Sequence, residues 1–446
     1  MKLKKPVNEN YSATVVKIKN IIPLDNCDNV VHSNIMGNLV ITSKDTKIGD
    51  IGIYFPVETQ LSDIYCKMNN LYRHSDLNLD KDKKGYIEDN RRIKAVKFRG
   101  HESQGLFMPI SSVNPFLAEG DILKEGNEFD YLHDTEICKK YVIKRRNPQG
   151  SKQSKKPKES KIVENQFRFH QDTNMLYKHL DRFNPDTPIS ITYKIHGTSG
   201  ISAKVLCKKK LNLWDKIGRF LGFNIINAEY DNIFSSRKVV KNDDLNPNAN
   251  HFYGDNIWGI ANAIVKDYLT NGMTIYYEIA GYLPNGSMIQ KDYDYGFTPP
   301  DVIKDNEDSL PSVGYKEGVN YGIFIYRITY TNSEGKIFEF SARQVQNWCI
   351  KNGLRPVPEL FYGRADEVFA DKRITLDNWR SGFLEKIKFD YNEKNCYLCK
   401  SKVPEEGVVV RIEQPDFEAY KAKSAKFYLR ETKLLDKGEQ DIEEIN

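Results

Sequence analysis

Lys194 is the residue of this sequence best placed for covalent chemistry. It closes the run Ile189-Ser190-Ile191-Thr192-Tyr193-Lys194, which mixes β-branched with small residues and reads as a strand. Gly197 and Gly200 turn the chain directly afterwards. A lysine at a strand end can be drawn partly out of water. Seated there beside other cations, its pKa falls from about 10.4 towards neutrality, and the free amine is a nucleophile. The neighbouring glycines let backbone N–H groups approach a phosphate closely. An exposed lysine before an ordinary glycine turn would look the same over four residues, so the reading depends on partners further along the chain.

Five further stretches supply such partners in order. Phe234-Ser235-Ser236-Arg237 supplies a cation. Thr274-Ile275-Tyr276-Tyr277-Glu278-Ile279-Ala280-Gly281 is a strand that delivers a carboxylate beside a glycine turn, and Tyr321-Gly322-Ile323-Phe324-Ile325-Tyr326-Arg327 is an aromatic-bearing strand. Pro404-Glu405-Glu406-Gly407-Val408-Val409-Val410-Arg411 and, closing the set, Tyr420-Lys421-Ala422-Lys423-Ser424 lie nearest the C-terminal end. Lys421 and Lys423 alternate along a strand, so their amines reach the same face. Cations gathered there would depress the pKa of Lys194 and neutralise a phosphate.

The elements that must position these residues fall into three parts. Between 12 and 56, short β-rich runs alternate with turn signals (Ser12–Lys19, Val30–Ile35, Asn38–Thr42, Gly49–Phe55), as expected for a small β-barrel. The later run Arg92-Ile93-Lys94-Ala95-Val96-Lys97-Phe98-Arg99 alternates basic and apolar residues with one slip of phase. Arg92, Lys94, Lys97 and Arg99 then share a face only if a bulge absorbs the slip. Such a basic, aromatic-edged barrel face is a nucleic-acid platform. Residues 61 to 91 are polar and read as an insertion or long loop. Between Lys139 and Lys161 ten Lys/Arg face one acid, a local balance of +9 in a chain whose formal charge is +5, so the rest is about −4. This stretch, with Arg145 and Arg146 at its centre and little to bury, reads as a solvated linker able to contact phosphates. The division is therefore 1–138 barrel, 139–165 basic linker and 166–446 catalytic domain. In the last, Asp172 is placed to cap a helix carrying Leu176, Leu180 and Phe183. Ile201–Leu206 should pair beside the lysine strand. Trp214, Ile217, Phe220 and Leu221 form a short amphipathic helix, read as a packing insert, and residues 291 to 320 form a polar insertion.

Composition narrows the classes further. The chain has 446 residues, 39% hydrophobic and 28% charged, and no apolar run nears the ~20 residues that span a bilayer. No membrane partner and no secretory signal are expected. Seven scattered cysteines argue for a reducing, cytosol- or nucleoplasm-like compartment, with Cys396-x-x-Cys399 as two packed thiols rather than a metal site.

Lys194-Ile195-His196-Gly197-Thr198 resembles motif I of the covalent nucleotidyltransferases, in the His-Gly-Thr form of the RNA ligase 2 branch. The later stretches resemble motifs Ia, III, IIIa, IV and V in order. Ile21–Asp28, Lys47–Pro56 and Phe98–Leu106 look like the N-terminal OB module of the Deinococcus- and Naegleria-type ligases, the RNA ligase 5 group. The resemblance implies an α+β fold, with an N-terminal OB-like barrel followed by an adenylation domain of antiparallel sheets and flanking helices. It implies Lys194 as nucleophile, Arg237 near ribose and phosphates, Tyr326 or else Phe324 against the adenine, and Lys421 and Lys423 on the α-phosphate. Glu278 would contact the ribose or a metal-bound water, Glu406 would sit close to a Mg²⁺ or Mn²⁺ ion, and His196 would orient the phosphate or assist the later steps. Three positions depart from the pattern: Tyr193 stands where many relatives have an acid, Ser199 where the branch has Asn, and Arg327 where Asp is common.

The resemblance implies an ATP-dependent RNA ligase, expected to be monomeric, that joins RNA 3′-OH and 5′-phosphate ends through lysyl-AMP and RNA-adenylate in nick sealing or repair. DNA ligases and capping enzymes carry a further OB domain after motif V, whereas about two dozen residues follow Lys423 here. A DNA-joining or capping enzyme, or a non-catalytic RNA-binding protein, is the alternative reading.

Overall fold

The computed structural model describes residues 3–142, 161–209, 211, 213–222, 227–242, 256–283, 286–296, 321–369 and 379–437. Arg145, Arg146, most of the basic linker and most of the 291–320 insertion lie outside the described residues.

The β-rich N-terminal runs form the expected strands. Ile51–Phe55 lies between Ala13–Lys17 and Leu106–Pro109 in an antiparallel sheet, and Val30–Ile35 pairs with Asn38–Ser43 as a hairpin. Alternate side chains such as Val15, Ile53 and Phe55 are buried in one core with Phe129 and Leu132, which is what period-two patterning produces. Residues 61 to 91 are more than a loop. A helix over Asp63–Met68, capped by the Ser62 side chain, drives Tyr65 and Cys66 into that core, and Leu71 and Tyr72 join them.

The basic run does not form one face. Its strand is limited to Ala95–Phe98, paired with His101–Gln104. Arg92 is buried, with its guanidinium on both Glu58 oxygens at 2.6 and 2.9 Å and 3.4 Å from Asp436. Lys94 is held by Glu88 and Asp436 at 2.7 and 2.8 Å. Both are spent on internal carboxylates, since a buried guanidinium requires a counter-ion. Lys97 remains exposed on its strand, and the exposed Arg99 donates to the Asn26 carbonyl at 2.6 Å.

The larger part is built on two antiparallel sheets. The first has the order Asn174–Met175, Glu418–Lys423, Gly407–Ile412, Pro188–Lys194, Glu359–Arg364, antiparallel but for its two-residue edge strand; the second runs Ala228–Ser236, Thr198–Lys208, Met273–Gly281, Tyr321–Thr331, Ile337–Glu339. The lysine strand and the strand after it belong to different sheets, contrary to the expected pairing. The chain crosses between them at Ile195-His196-Gly197, where a Cβ on Gly197 would lie 2.4 Å from the Ile279 carbonyl oxygen. Only glycine allows so close a crossing. The second sheet packs Ile275, Ile279 and Ile325 against helices Ile257–Val265 and Ala342–Lys351; the first packs Ile189, Ile191, Val408 and Val410 against Phe383 and Leu384 of helix Trp379–Lys386.

Two helix expectations are corrected. Residues 172 to 183 form a short strand, Asn174–Met175, parallel to Glu418–Lys423, and two single 3₁₀ turns. Asp172 bonds Arg237 instead of capping. Leu176 and Phe183 are buried all the same. The helix over Leu213–Phe220 exists, but its apolar side chains are exposed rather than packed.

The N-terminal domain is bolted to the body by buried polar groups. Lys178 Nζ donates to the Ser12 carbonyl and hydroxyl at 3.1 and 2.8 Å and reaches Glu128 at 3.2 Å. Burial pulls its pKa down although Glu128 opposes this. Asn10 accepts from the Met175 amide at 2.7 Å and donates to the Thr173 carbonyl. The buried Arg92 adds a third tie, 3.4 Å from the exposed Asp436. Arg92→Met should therefore destabilise the protein by about 3–5 kcal/mol in urea unfolding, with much of the loss recovered in Arg92→Met/Glu58→Leu. An unchanged midpoint in the single variant would contradict a structural role for Arg92.

Candidate active site

Three adjacent strands of the first sheet set the geometry. Lys194 pairs with Gly407, and Gly407 pairs with Lys423; two residues along, Val409 lies opposite Lys421. The residue between Lys194 and Lys423 is thus a glycine, in the positive-φ region at 148°, where a Cβ would stand 2.1 Å from the Ala422 carbonyl oxygen. No other residue fits there. Glu406, just before it, places one oxygen 2.6 Å from Lys194 Nζ and 3.7 Å from Lys423 Nζ. Its other oxygen is 3.4 Å from His196 Nδ1. Lys423 is held from its other side by Glu431 at 3.1 Å.

Lys421 is placed differently. It is half-buried, and its loss of water together with Lys423, Lys194 and Arg237 pushes its pKa down to about 7, with Asp172 opposing. Its charge is therefore poised on whatever enters beside it. The folded state binds fewer protons here than the unfolded chain, so the cost of Lys421 to stability is full below about 7 and is relieved as pH rises towards 10.5.

Lys194, Lys421 and Lys423 line a cavity of about 140 Å³ whose walls include Glu278, Arg237 and Tyr326. Glu278 arrives from the second sheet, opposite Ser199 on one side and Phe324 on the other. Arg237 is anchored on Asp172, with Nε 3.0 Å from Oδ1. Tyr326 shares its hydroxyl with His170 Nδ1 at 2.9 Å and Ser199 at 3.4 Å, and burial raises its pKa well above the usual phenol value. Between the two aromatic candidates the structure places Tyr326 on the cavity wall, and Phe324 behind it against Tyr295 and Arg355. His196 also lies behind the wall, wedged edge-on between Tyr293 and Phe427 at 4.6 and 4.9 Å, with its amide held by the Tyr295 hydroxyl. Its reach to this cavity is through Glu406.

The three departures from the motif pattern acquire physical roles. Tyr193 is buried beside Tyr397 and Cys396. Ser199 orients Tyr326 and its carbonyl accepts from Trp258 Nε1 at 3.0 Å. Arg327 makes three bonds of 2.9 to 3.1 Å to Glu339 and lies over the Phe417 ring at 4.0 Å. Cys399 Sγ lies 3.1 Å from Cys396 Sγ, both cysteines being free thiols.

Some cavity residues carry no local signal. His170 and Asp172 precede the lysine by more than twenty positions, and Asn8, Asn10, Tyr11 and Lys140 come from the N-terminal domain and its junction with the linker. Phe417 and Arg411 line the far wall. Among the described residues no three His, Cys, Asp or Glu are grouped to hold a metal by protein atoms alone. Two carboxylates, Glu406 and Glu278, nonetheless suit a hard divalent ion that keeps most of its waters and shares phosphate oxygens.

No curated protein sequence matches this chain. Residues 12–110 match the family profile of an OB-fold domain. In three dimensions the chain is similar to Naegleria gruberi RNA ligase. A lysine-to-methionine variant of that enzyme with AMP and Mn superposes with a TM-score of 0.54 at 14% identity, over 94% of this chain and 98% of that one. The same ligase with PPi gives 0.54 at 13% identity, over 97% and 100%. A lysine-to-alanine variant with ATP and Mn gives 0.53 at 15% identity, over 94% and 98%. The class defined is thus an RNA-ligase-like fold, an N-terminal OB domain on an α+β body of antiparallel sheets.

The poised Lys421 gives a direct test of the cluster as an anion seat. At pH 8 it is mostly neutral, and an anion placed against it raises its pKa. Titration of the protein with pyrophosphate in two buffers of different ionisation enthalpy should show uptake of up to about one proton. Lys421→Met should abolish that uptake. Binding without proton uptake in the unmodified protein would count against Lys421 as the responding group.

Proposed function

We propose that this protein is an ATP-dependent RNA ligase that joins RNA 3′-OH and 5′-phosphate ends, with Lys194 as its covalent nucleophile. The observation that carries the reading is the convergence of Lys194, Lys421 and Lys423 on one cavity, with Glu406 between two of them and Gly407 clearing the space. Three lysine amines gathered in so little volume outnumber the single carboxylate, Glu406, set between two of them. They match a triphosphate.

In the first step Lys194 Nζ attacks the α-phosphorus, the P–O bond to pyrophosphate breaks, and a lysyl-AMP phosphoramide forms. In the second an RNA 5′-phosphate oxygen displaces Lys194 to give RNA-adenylate. In the third an RNA 3′-OH displaces AMP and closes the phosphodiester. Each is an in-line substitution at phosphorus, so positioning and charge neutralisation carry the catalysis. Lys421 and Lys423 would neutralise the α-phosphate, and Arg237, fixed by Asp172, would meet the ribose and phosphates. Tyr326 would offer a face to the base. Glu406 stands 2.6 Å from Lys194 Nζ, and the amine must be free of its proton to react. Glu406 and Glu278 would hold Mg²⁺ or Mn²⁺, whose contribution is to screen phosphate and compete for the Glu406 carboxylate.

The OB domain supports an RNA substrate. Asn8, Asn10, Tyr11 and Lys140 form part of the cavity rim on its side, and Lys97 and Arg99 remain exposed for a phosphate backbone.

Purified protein incubated with α-labelled ATP and a divalent metal should carry label on a denaturing gel. Lys194→Ala should carry none, and Lys421→Met and Lys423→Met should lower the rate by about 10²-fold or more. Labelling from GTP instead would make it a capping-type enzyme. Passage of label to DNA but not RNA ends would make it a DNA-joining one. No label from either nucleotide with folded protein would leave a non-catalytic RNA-binding protein.

A further inference from the structure

The described residues between strands Thr198–Lys208 and Ala228–Ser236 have no part in the cavity. The helix there, Leu213–Phe220, sits on the hairpin connecting an edge strand to its neighbour. Leu213, Trp214, Ile217, Phe220 and Leu221 are all exposed, Trp214 to 78% and Phe220 to 90%. At about 100° per residue these five positions fall within an arc of about 120°, and the charged positions 215, 216 and 219 fall outside it. The apolar stripe is therefore continuous, and none of its five residues joins a core cluster among the described residues. A contiguous exposed stripe with large aromatics marks a surface that is covered in use.

Charge identifies what covers it. Residues 208–221 contain Lys208, Lys209, Lys210, Lys216 and Arg219 against Asp215 alone, a balance of +4. We propose that this helix lies on an anionic lipid surface, its apolar stripe sunk to the acyl boundary and the net positive charge of the segment drawn to the anionic headgroups. Tryptophan and phenylalanine on one face with Lys/Arg outside it is the composition of a helix lying in a membrane interface. A phosphate backbone would pair with the cations but leave the apolar stripe in water. A second copy of the chain would bring the same +4 against itself. A helix lying flat needs no ~20-residue apolar run, so the absence of such a run, which argued against a membrane partner, does not bear on it. The five residues lie outside the cavity wall, so the protein can be anchored with that cavity open. The inference does not depend on the ligase reading.

The test uses the full chain and vesicles of phosphatidylcholine, with or without a third of the lipid exchanged for phosphatidylserine. The expected result is co-sedimentation with the phosphatidylserine vesicles, weaker by about tenfold with phosphatidylcholine alone and weakened by added salt. Trp214→Glu/Phe220→Glu should lose this binding by about tenfold or more with an unchanged thermal midpoint, because both positions are exposed in the fold. Replacing Lys144, Arg145 and Arg146 with serine should leave it. The proposal is overturned if the unmodified chain stays in the supernatant with phosphatidylserine vesicles. It is equally overturned if the double variant sediments like the unmodified chain, which would assign binding to charge elsewhere. A concentration-dependent dimer lost in the double variant, with no vesicle binding, would give the stripe to a second copy instead.

Discussion

The charge balance around Glu406 is the constraint on which the site rests. One almost fully buried carboxylate faces the amines of Lys194 and Lys423, and a third lysine, Lys421, is pushed towards neutrality by loss of water and then by the cations beside it. Such crowding would cost too much if each cation were simply desolvated. It is tolerable because Glu406 and Glu431 hold Lys423 between them and Asp172 opposes the cations from the far wall. The arrangement leaves a deficit of negative charge inside the cavity. An anion would meet that deficit.

Backbone geometry makes this crowding possible. The cations sit on two strands separated by one whose facing residue is Gly407, so no side chain stands between Lys194 and Lys423 at that register. The crossing at Gly197 then carries the chain into the second sheet, which brings Glu278 and Tyr326 to the opposite wall. The nucleophile strand thus serves as the seam between two sheets. Arg327, where a carboxylate is common in the resembled motif, is tied to Glu339 on the neighbouring strand of the second sheet and lies over Phe417.

The N-terminal domain is a wall of the cavity as well as a neighbouring module. Lys178 reaches from the body into its sheet, Asn10 reaches back to Met175 and Thr173, and Arg92 binds Glu58 and, at Asp436, the helix Ala425–Asp436. These are directional contacts, buried except at Asp436. They define one relative placement of the two parts, where apolar contact alone would permit sliding.

Much of the chemistry was legible in the chain itself. Lysine before a glycine turn, two lysines on alternate strand positions and a glutamate before a glycine are local patterns, and their side chains point where strand periodicity sends them. The order of the β-rich runs likewise predicted the barrel, while the antiparallel body was implied by the motif resemblance. Properties that arise between distant segments lay beyond the sequence. Arg92 and Lys94 looked like a nucleic-acid face until Glu58, Glu88 and Asp436 were brought against them. Asp172 looked like a helix cap until Arg237, sixty-five residues on, claimed it. The stripe on Leu213–Phe220 looked like core because amphipathic periodicity reports only that a face seeks an apolar surface. Which surface it meets is decided by the tertiary fold, which here leaves that face exposed.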